Sequence, residues 1–267
     1  MRLVYLGTPD MAVPPLEALV RAGHDVVLVV TRVDKRRGRG GGLSPSPVKA
    51  AAERLGLAVS HDLGDVLSVG AELGVVVAYG RIIRSDILDE LPLINLHFSL
   101  LPRWRGAAPV ERALLAGDDV TGVCVMQIEE GLDTGGVYAR AEVPIEPTTT
   151  AADLRRRLVE VGSHLLVDTL AAGLGTPVEQ VGAPTYAAKI DPAELRIDWT
   201  RPVEEIDRLV RVGGAWTTFR GARFKIHAAE VVDGRIVPTV VQPEGKPRME
   251  ASAWRNGARP ADDEWFE

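Results

Sequence analysis

The first thirty residues restrict the fold of this chain more than any other part of it. Two apolar runs, at residues 3–6 and 26–30, predict buried strands. Residues 14–22 between them predict a helix, because Pro14 suits its first turn and Gly23 suits its end. A strand, a helix and a strand in this order predict two parallel strands joined by a crossover. An α/β fold is therefore expected from the start of the chain.

The same alternation of strands and helices continues to about residue 190. Strands are predicted at 75–78, 93–97 and 120–128, and helices at 47–55, 109–115 and 153–170. Ser46 is a suitable N-cap for the first of these helices, and Gly56 a suitable stop. We predict an open, mostly parallel sheet with helices on both faces, which forms a first domain over residues 1–190.

The pattern changes after residue 191. We predict a linker at 191–202 and a small β-rich domain at 203–267, which begins with a helix at 203–212. Two strands at 223–231 and 235–241 flank Asp233-Gly234, a dipeptide that predicts a tight hairpin. After Val241 the chain becomes rich in Pro, Gly and charged residues, which predicts a loosely ordered tail.

Composition excludes several classes of protein. Cys124 is the only cysteine, so an internal disulfide is excluded, and the histidine spacing predicts no metal site. The apolar runs are shorter than a membrane span, and Met1-Arg2 leads directly into the first strand without a signal peptide. We therefore expect a cytoplasmic protein without a membrane partner. A net charge of −6 disfavours a generally basic nucleic-acid binder but allows a local basic patch.

A polar pair stands at the end of the strand predicted at 93–97. Residues i and i+2 of a strand point to the same face, so Asn95 and His97 are expected to project together. Ligand sites of open α/β sheets lie at the carboxyl ends of strands. An amide that stabilises an oxyanion and an imidazole that moves a proton suit acyl transfer. A capping Asn and a hydrogen-bonded core His would explain the bare pair equally well.

Longer motifs surround this pair. Residues 99–109 read SLLPRWRGAAP, and residues 131–135 read GLDTG. Together they resemble the folate-dependent formyltransferases, and within that family the members that act on methionyl initiator tRNA. The resemblance runs from LGTPD at 6–10 to about Phe224. It implies a Rossmann-like catalytic domain, a shortened C-terminal domain of the oligonucleotide-binding type, and formyl transfer from 10-formyltetrahydrofolate to the methionyl amino group.

The resemblance also implies roles for individual residues. Asn95 would stabilise the oxyanion, His97 would support it or move the proton, and Asp133 would bias the charge of His97. Taken alone, Asp133 is more typical of a plain turn. The implied folate contacts are Ser99, Leu100, Leu101 and Pro102 in one turn, and Gly80, Arg81, Ile82 and Ile83 in a loop. Phe98 stands where the family has a small residue, which is expected to alter packing rather than chemistry.

A second informative segment, residues 31–49, is basic and rich in glycine. Composition alone favours a solvated surface loop, although such a loop also suits contact with a phosphate backbone. It is not a dinucleotide fingerprint, because Leu43 stands at the last glycine position. The resemblance implies that it contacts the acceptor end of the initiator tRNA. The residues implied in this contact are Arg36, Arg37, Arg39 and Lys49.

Two other functions stay open at this point. A formyltransferase acting on a small amine, such as a nucleotide-linked amino sugar, is favoured by the shortened C-terminal part. The basic loop disfavours it. An inactive folate- or RNA-binding relative is disfavoured by the complete set of Asn95, His97 and Asp133. The chain is expected to be a monomer.

Overall fold

The computed structural model describes residues 1–36, 42–261 and 264–267. The strands are β1 Arg2–Gly7, β2 Asp25–Val30, β3 Lys35–Arg36, β4 Leu43–Ser44, β5 Val59–Ser60, β6 Leu73–Val77, β7 Leu93–His97, β8 Arg105–Gly106, β9 Val120–Gln127, β10 Val137–Pro144, β11 Tyr186–Ala187, β12 Trp216–Phe219, β13 Ala222–Val232, β14 Arg235–Pro243 and β15 Met249–Glu250. The helices are α1 Val13–Arg21, α2 Pro47–Arg54, α3 Ser85–Glu90, α4 Pro109–Ala116, α5 Ala151–Ala172, α6 Val203–Val212 and α7 Ala251–Ala258. None of the helices in these described ranges is long and apolar enough to cross a membrane.

The chain forms two compact units. The first unit takes in Met1–Pro109, Val120–Pro144 and Arg155–Ala187. The second takes in Val110–Asp119, Ile145–Leu154 and Ala188–Glu267. The division into domains at 1–190 and 203–267 with a linker at 191–202 stays a prediction.

The first unit contains a seven-stranded sheet in the order β10-β9-β7-β6-β1-β2-β5. Strands β5, β2, β1, β6 and β7 are parallel, whereas β9 is antiparallel to β7 and β10 is antiparallel to β9. The predicted fold class, a mostly parallel α/β sheet, is confirmed. The chain reverses its direction of travel across the sheet between β1 and β6, and ligands bind at such a switch point.

The central strands are buried on both faces. Every residue of β6 is buried, as is every residue of β1 after Arg2. Continuous apolar strands of this kind are typical of parallel sheets that helices cover on both sides. Helix α5 lies directly over β7, because a Cβ atom added to Gly162 would lie 3.1 Å from Leu96 Cδ2. This close approach fixes β7, the strand that carries Asn95 and His97.

The second unit contains a four-stranded antiparallel sheet in the order β12-β13-β14-β15. Asp233 and Gly234 join β13 to β14 with φ values of 49° and 70°. Two positive φ angles in a two-residue loop are the signature of a type I′ turn, as the dipeptide predicts.

The segment after Val241 has more structure than its composition predicts. Its residues form the end of β14, β15 and α7. Trp254 and Phe266 then pack against Phe224, with ring centroids 4.7 Å and 5.1 Å away. A few aromatic rings bury large apolar areas, so they outweigh the many polar residues that dominate the composition.

Candidate active site

Asn95 and His97 lie at the carboxyl end of β7. His97 is buried opposite Cys124 of β9, and Asn95 is half-buried opposite Met126. Because the two residues are separated by one position, their side chains share a face of the strand. Across the described ranges, no protein group forms a hydrogen bond with the Asn95 side chain. Its amide is therefore able to donate to a bound group.

The His97 ring lies between a carbonyl and a carboxylate. Nε2 lies 2.9 Å from the backbone oxygen of Trp104, and a carbonyl oxygen only accepts, so Nε2 carries a hydrogen. Nδ1 lies 3.7 Å from Asp133 Oδ2. A second proton on Nδ1 would therefore form an ion pair with Asp133. The ring is arranged to take up and release a proton at Nδ1 while Nε2 stays bonded.

A backbone N–H group holds the Asp133 carboxylate. Its Oδ2 accepts the Gly106 backbone N–H at 2.7 Å, and its side chain is only 16% exposed. The residue has a φ of 51°, in the left-handed region that residues with a Cβ rarely adopt. Gly135 follows closely, and a Cβ atom there would lie 2.1 Å from the backbone oxygen of Gln127. Only glycine fits at that position, which explains the last letter of GLDTG.

The predicted folate-binding turn directs several of its side chains inward. Ser99 is fully buried and donates its hydroxyl to the backbone oxygen of Arg103 at 2.6 Å. Leu101 is buried in a small apolar cluster with Cys124 and Met126. Leu100 and Pro102 are half-buried. The side chains of Ser99 and Leu101 thus stabilise the turn, whereas Leu100 and Pro102 keep part of their surface exposed.

The second predicted folate loop, residues 80–83, follows β6 at the switch point. Thr8, just after β1, donates its hydroxyl to the backbone oxygen of Tyr79 at 3.2 Å. Arg81 Nη1 bonds the backbone oxygen of His61 at 3.3 Å. Ile82 is 92% exposed, whereas Ile83 packs against the core of the sheet. Of the two isoleucines, Ile82 is therefore the one that can present its side chain to a ligand.

Residues 177–187, here called the bridging segment, connect the two loops that surround His97. Thr185 accepts the Trp104 N–H on its hydroxyl and the Arg105 N–H on its backbone oxygen, both at 2.9 Å. These bonds hold the Trp104 peptide whose oxygen bonds His97. Trp104 has a left-handed φ of 62°, so its backbone needs such support.

Gln180, in the same segment, holds the loop that carries Asp133. Its Nε2 donates to the backbone oxygens of Asp133 and Gly135, each at 2.8 Å. Its Oε1 accepts from Arg105 Nε and Nη2 at 3.1 Å and 2.7 Å. Neither Gln180 nor Thr185 belongs to a motif that the sequence reveals, because these residue types alone carry no signal for such contacts.

The basic segment forms a short ribbon in which β3 pairs with β4. Lys49 Nζ donates to both carboxylate oxygens of Asp34, each at 2.9 Å, and this hydrogen bond raises the pKa of Lys49. Arg36 is exposed on the ribbon. Arg37 and Arg39 lie outside the described residues. Lys49 thus anchors the base of the ribbon and keeps one further N–H donor for another partner.

Comparisons with known proteins match both parts of the chain. The family model "Formyl transferase" matches residues 1–170, and "Formyl transferase, C-terminal domain" matches residues 189–237. A methionyl-tRNA formyltransferase from Roseobacter denitrificans is 48% identical over 260 residues, which cover 91% of this chain and 85% of that protein.

Two solved structures share the fold at low sequence identity. Methionyl-tRNA formyltransferase from Clostridium thermocellum has a TM-score of 0.68 and 15% identity, over 94% of this chain and 100% of that chain. An N-formyltransferase from Helicobacter canadensis, solved with folinic acid and dTDP-3-aminofucose, has a TM-score of 0.67 and 19% identity, over 86% of this chain and 89% of that chain. At such identities the likeness supports the fold alone.

Proposed function

This chain belongs to the formyl transferase family, and from that premise we propose that it formylates the α-amino group of methionyl initiator tRNA for translation initiation. The formyl donor is 10-formyltetrahydrofolate. The Roseobacter denitrificans relative supports the choice of acceptor, because the match extends over 91% of this chain. The observation that carries the chemistry is the half-buried Asn95 amide beside a His97 ring whose Nδ1 faces Asp133.

In this reaction, the Asn95 side chain stabilises the oxyanion. When the methionyl amine attacks the formyl carbon, negative charge develops on the formyl oxygen. An amide donor placed at that oxygen stabilises the charge, and such a donor is typically worth about 10²–10³ in rate. The Asn95 side chain is free for this contact within the described part of the chain. No protein nucleophile is needed, because the acceptor amine itself attacks.

His97 transfers the proton, and Asp133 stabilises the protonated ring. The attacking nitrogen must lose a proton as its bond to carbon forms, and the folate nitrogen must gain one as its bond breaks. His97 Nδ1 is the ring atom available for both transfers, because Nε2 is bonded to the Trp104 oxygen. Asp133, 3.7 Å away, stabilises the ring while Nδ1 carries the proton.

The remaining predicted residues serve binding. We assign the folate to the switch point between β1 and β6, where the backbone of residues 99–102 and the loop at 80–83 can contact it. We assign the phosphates of the tRNA acceptor end to the basic segment, through Arg36, Arg37, Arg39 and the third donor of Lys49. Phosphate contacts from arginine and lysine fit this assignment. We further propose that the enzyme is a cytoplasmic monomer.

One experiment tests the choice of acceptor. Purified enzyme and 10-formyltetrahydrofolate would be incubated with methionyl initiator tRNA, with methionyl elongator tRNA, and with a panel of nucleotide-linked amino sugars. The formylated product would be separated by chromatography, with the His97→Ala variant as the control. We expect product from the initiator tRNA. Product from the amino sugars alone would overturn the proposal and favour a small-amine formyltransferase.

A further inference from the structure

We propose that Gln180 positions Asp133 for the proton transfer, together with Arg105. The inference rests on the proposed function. Gln180 is 47 residues from Asp133 in the chain and donates to its backbone oxygen. Within the described part of the chain, Gln180 forms no hydrogen bond with His97 or with the Asp133 carboxylate, so it acts through the loop and is a positioning residue.

The hydrogen bonds of the Gln180 amide determine its orientation. Both N–H groups are used, on the backbone oxygens of Asp133 and Gly135. The oxygen receives two N–H groups from the Arg105 guanidinium. A side-chain amide has two donors and two acceptor positions, so its capacity is filled. A flipped amide would place its oxygen against two carbonyl oxygens and its N–H groups against a guanidinium, and Arg105 therefore sets which way Gln180 points.

Asp133 depends on such external support. Its backbone has a φ of 51°, a conformation that persists in a residue with a Cβ only where surrounding contacts hold it. Gln180 supplies two of those contacts on either side of Thr134. The distance from Asp133 Oδ2 to His97 Nδ1 then follows from where the loop is held. A displacement of about 1 Å in such a pair can lower a rate by about 10²-fold.

The bridging segment also supports the other side of His97. Thr185 holds the Trp104 peptide through two hydrogen bonds, and the Trp104 oxygen bonds His97 Nε2. Arg105 is the next residue, and its backbone and side chain bond Thr185 and Gln180 respectively. The partners of both ring nitrogens are therefore aligned by one short segment.

The decisive variant is Gln180→Glu. It keeps the size of the side chain and an oxygen that accepts the hydrogen bonds from Arg105. It removes both N–H donors and directs a second oxygen towards the two backbone carbonyls. Arg105→Lys is the conservative companion, because it leaves the Gln180 donors in place. Glu179→Gln, at the exposed neighbouring position, is the matched control. Thermal unfolding and folate binding would be measured for every variant.

We expect Gln180→Glu to lower kcat by about 10–100-fold, because a displacement of the Asp133 carboxylate by about 1 Å can lower a rate by about 10²-fold. Its KM for folate and its thermal unfolding should stay close to the wild-type values. Arg105→Lys should lower kcat less, and Glu179→Gln should leave it unchanged. A Gln180→Glu enzyme within twofold of wild-type kcat would overturn the inference. So would a loss of kcat that follows a parallel loss of folded enzyme.

A second measurement separates this inference from the proposed function. The His97 ring would be titrated by nuclear magnetic resonance in the free enzyme, without folate or tRNA. Gln180→Glu adds a charge that acts on the ring directly, so the uncharged variant Gln180→Met is used here. If Gln180 sets the distance between Asp133 and His97, the His97 signal should respond differently to pH in Gln180→Met and as in the wild type in Glu179→Gln. A changed His97 response, together with a wild-type enzyme that is inactive on methionyl-tRNA, would overturn the proposed acceptor and support the positioning role. An unchanged titration would overturn the positioning role, whatever the acceptor.

Discussion

The loops around His97 and the basic ribbon are built in different ways. Asp133 and the Trp104 peptide are held by the bridging segment through short hydrogen bonds from Gln180 and Thr185. The ribbon has two paired residues on each strand and an ion pair between Lys49 and Asp34. Leu43 on its second strand is 71% exposed. Among the residues that the structure describes, supporting contacts are thus dense around His97 and Asp133 and sparse on the basic ribbon.

The difference fits the roles that we propose for the two regions. Proton transfer and oxyanion stabilisation depend on the placement of single atoms, so they need a rigid surrounding structure. Attraction between arginines and phosphates acts over longer distances and tolerates variable geometry. Substitutions near His97 should therefore lower kcat, whereas substitutions on the ribbon should raise KM for tRNA and alter its salt dependence.

The largest effects are expected for Asn95, His97 and Asp133. Asn95→Ala should lower kcat by about 10²–10³-fold, the usual consequence of losing an oxyanion donor. His97→Ala and Asp133→Ala should be at least as damaging, and the losses should not add, because the residues act as one unit. Single-turnover kinetics with folate binding as the control would measure this. Near-wild-type turnover with normal folate binding would remove that residue from the mechanism.

The next largest effect is expected on the ribbon. Replacing Arg36, Arg37 and Arg39 by Ala together should weaken methionyl-tRNA binding and leave stability nearly unchanged, since a segment with few apolar residues contributes little to a core. The log–log slope of binding against salt should fall by about 2–3, because each phosphate contact contributes roughly 0.7–0.9. Binding at two salt concentrations would measure it. An unchanged slope would mean that the ribbon is only a solvated surface feature.

A matched pair of variants should then resolve the role of Lys49, with a smaller effect. Lys49→Met and Asp34→Asn both remove the ion pair at the base of the ribbon. The first also removes a positive charge, whereas the second removes a negative one. If anchoring matters, both variants should raise KM for tRNA by severalfold. If Lys49 acts only through its charge, Asp34→Asn should bind tRNA as well as the wild type or better.

The smallest effect is expected on the pH dependence of stability, through an ion pair in the second unit that has no proposed role in catalysis or tRNA binding. Hydrogen bonds from Arg112 lower the pKa of Glu194 to about 2. A lowered folded-state pKa contributes stability above the unfolded value near 4.5, and this contribution is lost as the pH falls towards 2. Because Glu194 is 42% exposed, about 0.2–1 kcal/mol is expected. Urea unfolding of Glu194→Gln and of the exposed control Glu230→Gln at pH 7 and pH 3 would measure it. Equal pH dependence in the two variants would contradict the assignment.

The sequence by itself determined the local elements and their order. Apolar runs, the Ser46 cap and the Asp233-Gly234 turn each depend on steric and hydrogen-bonding preferences within a few residues. The spacing of Asn95 and His97 placed both side chains on one face, because strands alternate with a period of two. The role proposed for Asp133 comes from the resemblance to known formyltransferases, because its local sequence is typical of a plain turn.

Only the tertiary structure decided how these residues are held together. The antiparallel course of β9 and β10 and the burial of Ser99 and Leu101 depend on packing across the sheet. The role of Gln180 depends on contacts between residues 47 and 75 positions apart. Its two N–H groups donate to backbone oxygens, which every residue possesses. Such contacts leave no complementary residue type in the sequence, so they become visible only when the chain is folded.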